Sequence, residues 1–507
     1  MKRLRTHLPE ICIFLTLLSC YAYFFPRWAD WNQNSRLNLV MAIVDQRTLY
    51  IDDYYDGHTA TGDYAEFGGR IYSTKAPGTA FLGVPVYWAF QKVARGNVVK
   101  WALGLLRANE AIDSTLRAAG SGLLPEKLHA ALALYVVTFC AVSIPSALLG
   151  VLVYRFAGHF VVSQLPRVWA VLVWGLATNA FPYAGSFYGH QIVALLLFAA
   201  FFLAFLIGCG RIRPALALVV GVALGYAVIT EYPTALIAGA VFVYLCQRLS
   251  QKRWIGLAVL GGSLPGFLWI GYNQAIFRKP IAFGYEHATL FRDVNTAGFF
   301  SLVYPQLEAL WGITFGSFRG LFFLSPVLLL AFPGFCRLAC CRAWREEFLL
   351  SVWAVLIFLL FNGSSVMWQG GFAVGPRYLV PMLPFLVLPM ASFVERWGRS
   401  RWVRALVAAL STWSLLAVWA ETLGGQHFPD FTRNPLFRYS LPSLLDGDLA
   451  RNLGTVCELS GWASVVPLAA VLGWLSWTLV RYLGVPRLGP PAAPSPPGAT
   501  QEHVSGA

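Results

Sequence analysis

From Ile192 to Ile207 the chain carries an unbroken apolar run, IVALLLFAAFFLAFLI. A helix through that run is apolar on every face, with no side to turn to water. It belongs in a bilayer, whose hydrocarbon core is about 30 Å thick and takes about 20 residues to cross. The run has company. Comparable segments lie near 8–26, 129–154, 168–184, 190–208, 214–230, 233–247, 254–274, 320–336, 347–362, 378–394, 403–421 and 461–480. Together they predict about twelve transmembrane helices. Only 12% of the 507 residues are charged, against about 25% in soluble domains. The expected fold class is therefore an all-α polytopic membrane protein.

The few charges fix the sides. A formal net charge of +14 invites a nucleic-acid reading, but no basic cluster with aromatics sits in a polar domain. Lys and Arg in cytoplasmic loops explain the excess. The apolar segment 78–94 is short and interrupted by Pro85. If it does not cross, the short inner loops hold Arg155, Arg167, Arg211, Arg213, Arg248, Lys252, Arg253, Arg337, Arg342, Arg345, Arg396, Arg399, Arg401 and Arg404, and the short outer loops hold no Lys or Arg. If it crosses, every later loop inverts and the bias is lost. It is expected to be re-entrant or interfacial on the outer side, with both termini cytoplasmic. Residues 1–484 then form one transmembrane domain, with a first outer loop at about 27–128. The Pro- and Ala-rich stretch 485–507 has no apolar face and is expected to be a disordered cytoplasmic tail. In the outer loop, Leu37, Val40, Met41 and Val44 repeat at i, i+3, i+4, i+7, which suggests an amphipathic helix on the membrane surface.

On that topology the polar groups at membrane level gather on the outer side. They are Lys75; Tyr183, Tyr188, His190 and Gln191; Glu231 and Tyr232; Glu286, His287, Arg292 and Asp293; and Trp368, Gln369, Arg377 and Tyr378. Ionisable groups at membrane depth are costly and usually face a cavity. Their convergence suggests a site for something charged at the outer leaflet. Each also has a plainer reading: interfacial belts for the Tyr and Trp residues, snorkelling for Arg377, a satisfied structural ring for His190. Glu231, before Pro233 and flanked by apolar segments, needs a partner, and an arginine is expected. The acidic outer loop adds Asp30, Asp45, Asp52, Asp53, Asp56, Asp63 and Glu66. A carboxylate near cations suits a general base, and spacing alone does not select one. No Walker loop, HExxH or GxSxG motif occurs.

The order of these features resembles a known family. A first helix, an acidic outer loop with a surface helix, then YSTKAPG (Tyr72–Gly78), GLFFLSPVLLLA (Gly320–Ala331) and GGFAVGPRYLVPMLPFL (Gly370–Leu386) resemble the GT-C membrane glycosyltransferases. The bacterial branch related to protein O-mannosyltransferases and the lipid A aminoarabinose transferase is the most similar. That family commonly reads Lys-Pro-Pro where this chain has Lys75-Ala76-Pro77. The resemblance implies a GT-C-like bundle, a polyprenyl-phosphate-linked sugar as donor, a glycan, lipid or protein hydroxyl as acceptor, and a bacterial inner-membrane setting with an extracytoplasmic site. Transfer would invert the anomeric carbon. A polyprenyl phosphate paired with cations is already a good leaving group and no clear ligand set is present, so no cofactor and no metal are expected, and the partners expected besides are membrane lipids rather than nucleic acid. Lys75, with Arg377 or Arg292, would hold the donor phosphate. Tyr183, His190, Glu231, Glu286 and Tyr378 would bind the sugar or acceptor. The family's base is an aspartate just after the first helix. Alignment of the surface helix puts Asn32 there, leaving Asp30, Asp52 or Asp53 for that role. A lipid-linked sugar transporter or flippase, and a non-catalytic scaffold of the same fold, are the competing classes.

Overall fold

The computed structural model describes residues 7–27, 30–94, 96–109, 127–290, 292–295, 297–298, 301–425 and 432–484. The tail expected at 485–507 lies outside them. The chain is mostly helical, with one two-stranded hairpin among the described residues.

Helix α1 (Leu8–Tyr23) leads into α2 (Trp31–Met41), hairpin β1–β2 (Tyr64–Phe67 and Arg70–Ser73) and α3 (Gly78–Ala94). After α4 (Asn97–Arg107) come α5 (Leu128–Ala157), α6 (Gln164–Leu176), the short α7 (Ala180–Ala184), α8 (His190–Gly208), α9 (Pro214–Thr230), α10 (Ala235–Arg248) and α11 (Trp254–Phe277). Then follow α12 (Leu307–Thr314), α13 (Pro326–Ala339), α14 (Arg342–Gly363), α15 (Pro384–Trp397), α16 (Arg401–Leu423) and α17 (Gly461–Leu483). Six of these, α5, α8, α11, α14, α16 and α17, are long and apolar enough to cross a membrane. Their outer faces are apolar: on α11, Leu264 is 55% and Phe267 67% exposed. Such surface suits lipid and not water.

Helix ends differ in places from the sequence expectation. The segment expected at 168–184 is helical only to Leu176, and α7 follows as a separate turn. Thr178 ends α6 by folding its hydroxyl back onto the Trp174 carbonyl at 2.5 Å. The α2 helix is also not a surface helix. Asn32 to Met41 are all buried. The apolar face meets α3, and the polar face is met by the loop at 59–63. Asn34 donates to the Ala60 carbonyl (3.0 Å), Asn38 to the Thr59 carbonyl (3.0 Å) and Ser35 to the Asp63 carbonyl (2.7 Å).

Two packing features position the site. Helices α9 and α11 touch backbone to backbone, because a Cβ at Gly221 would strike the Ala258 carbonyl and one at Gly261 the Leu218 carbonyl. Small residues let membrane helices approach this closely. The end of α1 is clamped from far along the chain. The Tyr23 hydroxyl donates to the Ser464 carbonyl (2.6 Å), and the Phe25 amide to the Arg451 carbonyl (2.9 Å). Asn452 holds that corner: its amide donates to Ala450 and Ser464, and its oxygen caps Gly454 and Thr455.

The ionisable groups of the long apolar helices fall near helix ends. At one end of the bundle Arg155 meets Glu10, Arg248 meets Glu346 and Glu347, and Arg337 meets Glu395. The other end holds the loops described next.

Candidate functional site

The amino end of α2, the end of the hairpin, the start of α8, the end of α9 and the loop before α15 converge. Asp30 caps α2, taking the Gln33 amide at 2.9 Å. Gln33 in turn accepts from the Phe187 amide (2.7 Å), which ties α2 to the loop before α8. That loop carries Tyr188, whose hydroxyl donates to both Asp30 oxygens (3.0 and 2.9 Å). Arg377 Nη1 lies 3.4 Å from the same hydroxyl, and its Nη2 donates to Tyr378 at 3.1 Å. Its guanidinium also packs over both tyrosine rings. Arg377 Nε is buried and makes no hydrogen bond to a described residue.

Lys75 is 9% exposed and pairs with Asp63 at 2.8 Å. Its ammonium lies 5.6 Å from the centre of the Tyr285 ring. Burial pushes the Tyr285 hydroxyl pKa up, against the pull of Lys75 and Arg36. Arg36 is 4% exposed. It donates from Nε to Asn32 (3.0 Å), and from Nη1 to the Ala76 carbonyl and Thr79 hydroxyl, both at 3.4 Å. All three acceptors are neutral, and Nη2 makes no hydrogen bond to a described residue. No carboxylate among the described residues bonds Arg36 directly, and Glu231 acts on it only at longer range; a buried cation so placed is costly and favours a further anion.

Glu231 does not take the arginine expected of it as direct partner. Its two oxygens lie 2.8 and 2.9 Å from His190 Nδ1. Burial pushes the Glu231 pKa up, but His190, Arg36 and Arg377 outweigh that and hold it below the ordinary value. The carboxylate is therefore held in its charged form by His190 directly and by the two guanidiniums at longer range. Tyr183 spends its hydroxyl on the Val374 carbonyl (3.1 Å). The loop that delivers Arg377 depends on Gly375, at φ +54°, where a side chain would run into Asn179. Arg319, fully buried, braces the same loop through the carbonyls of Gln369 (3.0 Å) and Gly371 (2.6 Å).

The structure thus brings together Asp30, Lys75, Tyr183, Tyr188, His190, Glu231, Arg377 and Tyr378. Others stand apart. Asp52 pairs with Arg70 at 2.6 Å and caps the Ile71 amide, which makes it part of the hairpin. Asp53 accepts from Gln46 at an exposed position. Glu286 is exposed; its neighbour Tyr285 faces the cluster instead. Arg292 begins a short helical turn, and its side chain lies outside the described residues. Sequence reasoning missed Arg36 and Tyr285 as members of the site, and had Asp63 only as one of the acidic residues of the outer loop, not as the partner of Lys75. Among the described residues no three His, Cys, Asp or Glu side chains gather as a metal site.

Fold and site together define a mostly helical membrane protein with buried cations and tyrosines at one end of its bundle. No family model, curated protein or solved structure matches the chain.

Proposed function

We propose that the protein is a membrane glycosyltransferase that moves a sugar from a polyprenyl-phosphate donor to an acceptor hydroxyl. The observation that carries this reading is Arg36: a buried guanidinium held by neutral acceptors, one nitrogen unspent, beside Arg377 and Lys75. Guanidinium and ammonium groups suit phosphate oxygens. A cationic cluster of this kind at the end of a lipid-facing bundle suits a phosphate whose lipid tail lies in the bilayer. Arg36 and Arg377 would hold it, with Lys75 alongside, and would stabilise it as it leaves the anomeric carbon. Tyr378, His190 and Glu231 supply hydrogen-bonding groups for sugar hydroxyls. Tyr183 and Asp30 act as supports, Asp30 by fixing Tyr188 and through it Arg377. The order of motifs along the chain, which resembles the GT-C group, supports the same reading.

In this reading the bundle has about twelve spans and the arginine-rich end is cytoplasmic. The site then opens on the extracytoplasmic side of a bacterial inner membrane. A transporter for the same lipid would want ionisable groups at mid-membrane, whereas here they lie near helix ends. The test is native mass spectrometry of the purified protein beside a Lys75→Ala/Arg377→Ala variant. Retained polyprenyl phosphate or its sugar conjugate, lost in the variant, is the expected result. Ordinary phospholipids alone, bound equally by both proteins, would refute the donor site.

A further inference from the structure

Asp30, the aspartate nearest the family's base position, has little left to offer as a base. One oxygen takes the α2 amide and both take the Tyr188 hydroxyl. His190 is differently placed. It is 2% exposed, and its ring stacks on Tyr188 at 5.5 Å and 21°. The edges of Tyr183 and Tyr378 close in at 5.5 and 5.7 Å. Glu231 faces Nδ1 with both oxygens, which makes Nδ1 the proton-bearing nitrogen and leaves a lone pair on Nε2. That Nε2 is buried and has no hydrogen-bond partner among the described residues. Close approach of Glu231 is built in, since a side chain at Gly189 would collide with its Oε1. A carboxylate that fixes one imidazole nitrogen and presents the other is the arrangement of a general base.

We infer that His190 is the catalytic base and Glu231 its positioning residue. The inference rests on the glycosyl-transfer reading. His190 Nε2 takes the proton of the acceptor hydroxyl as its oxygen bonds to the anomeric carbon. The bond from that carbon to the phosphate oxygen breaks, and polyprenyl phosphate leaves with the electron pair. The imidazolium is balanced by Glu231, and its proton passes to solvent once the products leave. Arg36 and Arg377 are the charged groups near the same pair, and the rings of Tyr183, Tyr188 and Tyr378 surround the imidazole.

The experiment uses the full chain in nanodiscs, with undecaprenyl-phosphoryl mannose and undecaprenyl-phosphoryl arabinose as probe donors. Release of undecaprenyl phosphate is followed against pH, and its binding is measured separately. His190→Gln should lower turnover by about 10²–10⁴-fold while undecaprenyl phosphate still binds. Glu231→Gln should lower it less and move the acid limb of the pH profile downward, because the imidazolium loses its counter-charge. ¹⁵N spectra of histidine-labelled protein, assigned by difference with His190→Gln, should show a protonated Nδ1 and a bare Nε2. Turnover in His190→Gln within about threefold of wild type, or a proton on Nε2, overturns the inference and leaves the glycosyl-transfer reading standing. A wild-type protein that neither binds undecaprenyl phosphate nor releases it from either donor overturns both.

Discussion

Replacing Arg36 with methionine should separate ligand binding from stability, with opposite signs. The substitution keeps an unbranched stem and removes the charge. In the folded protein it gives up one good hydrogen bond, to Asn32 at 3.0 Å, and two long ones at 3.4 Å. Leaving the Asn32 oxygen without its donor costs about 1–3 kcal/mol. Against that, the variant no longer buries a charge that no carboxylate bonds directly, a penalty of several kcal/mol per ion that the longer-range attraction of Glu231 offsets in part. The unliganded variant should therefore melt at or above the wild-type temperature. Binding should move the other way, because a hydrogen bond to a charged group contributes about 1.5–3 kcal/mol. Its loss weakens polyprenyl phosphate binding by about 10–150-fold. Thermal unfolding in detergent, with and without undecaprenyl phosphate, reads both effects at once. The variant should lose most of the ligand-induced rise in melting temperature. A lower melting temperature with unchanged affinity would refute the reasoning and make Arg36 a brace between α2 and the Ala76–Thr79 turn.

Four further outcomes are expected. Asp63→Asn releases Lys75 from its 2.8 Å partner and should increase retention of undecaprenyl phosphate in native mass spectra. Lys75→Met instead strands the Asp63 carboxylate and should cost about 3 kcal/mol, most of it recovered in the double variant when unfolding is measured. Glu231 has a folded pKa below its ordinary 4.5, so its stabilisation is present above that value and is lost as pH falls through the lower folded one. Between about pH 6 and pH 3.5 the melting temperature of the wild type should therefore fall further than that of Glu231→Gln. Gly261→Leu forces α9 and α11 apart and should destabilise by about 3 kcal/mol or more, seen as a lower melting temperature.

The helical bundle was legible because a bilayer imposes length and apolarity on whatever crosses it, and α8 reads that way from its sequence alone. Lys75, His190, Glu231 and Arg377 were legible as polar residues at the margins of apolar runs. Arg36 was not, and the reason is physical. In α2 the polar residues alternate with Leu37, Val40 and Met41 as the wet face of a surface helix would. Only the loop at 59–63, folding over that face, buries them. A signal was present in their chemistry: Asn32, Gln33, Asn34, Ser35 and Asn38 are amides and a hydroxyl, suited to backbone partners. A solvated face would carry Lys and Glu. The pairing of Glu231 with His190 was also hidden, because the two lie 41 residues apart in sequence and meet where α9 ends beside the start of α8.

The clamp on Tyr23 sets a clock for the protein's birth. Its partner, Ser464, is 441 residues downstream. At about 5–20 residues per second, the ribosome takes roughly 20–90 s to supply it. For that interval the end of the first helix lacks the Ser464 and Arg451 carbonyls that clamp it, and the segment leading on to Asp30 is less restrained than in the finished fold. A nascent chain stalled before Asn452 should therefore carry every cation of the cluster and yet fail to retain undecaprenyl phosphate. If polyprenyl phosphate is the ligand, assembly order thus keeps an unfinished molecule from engaging it.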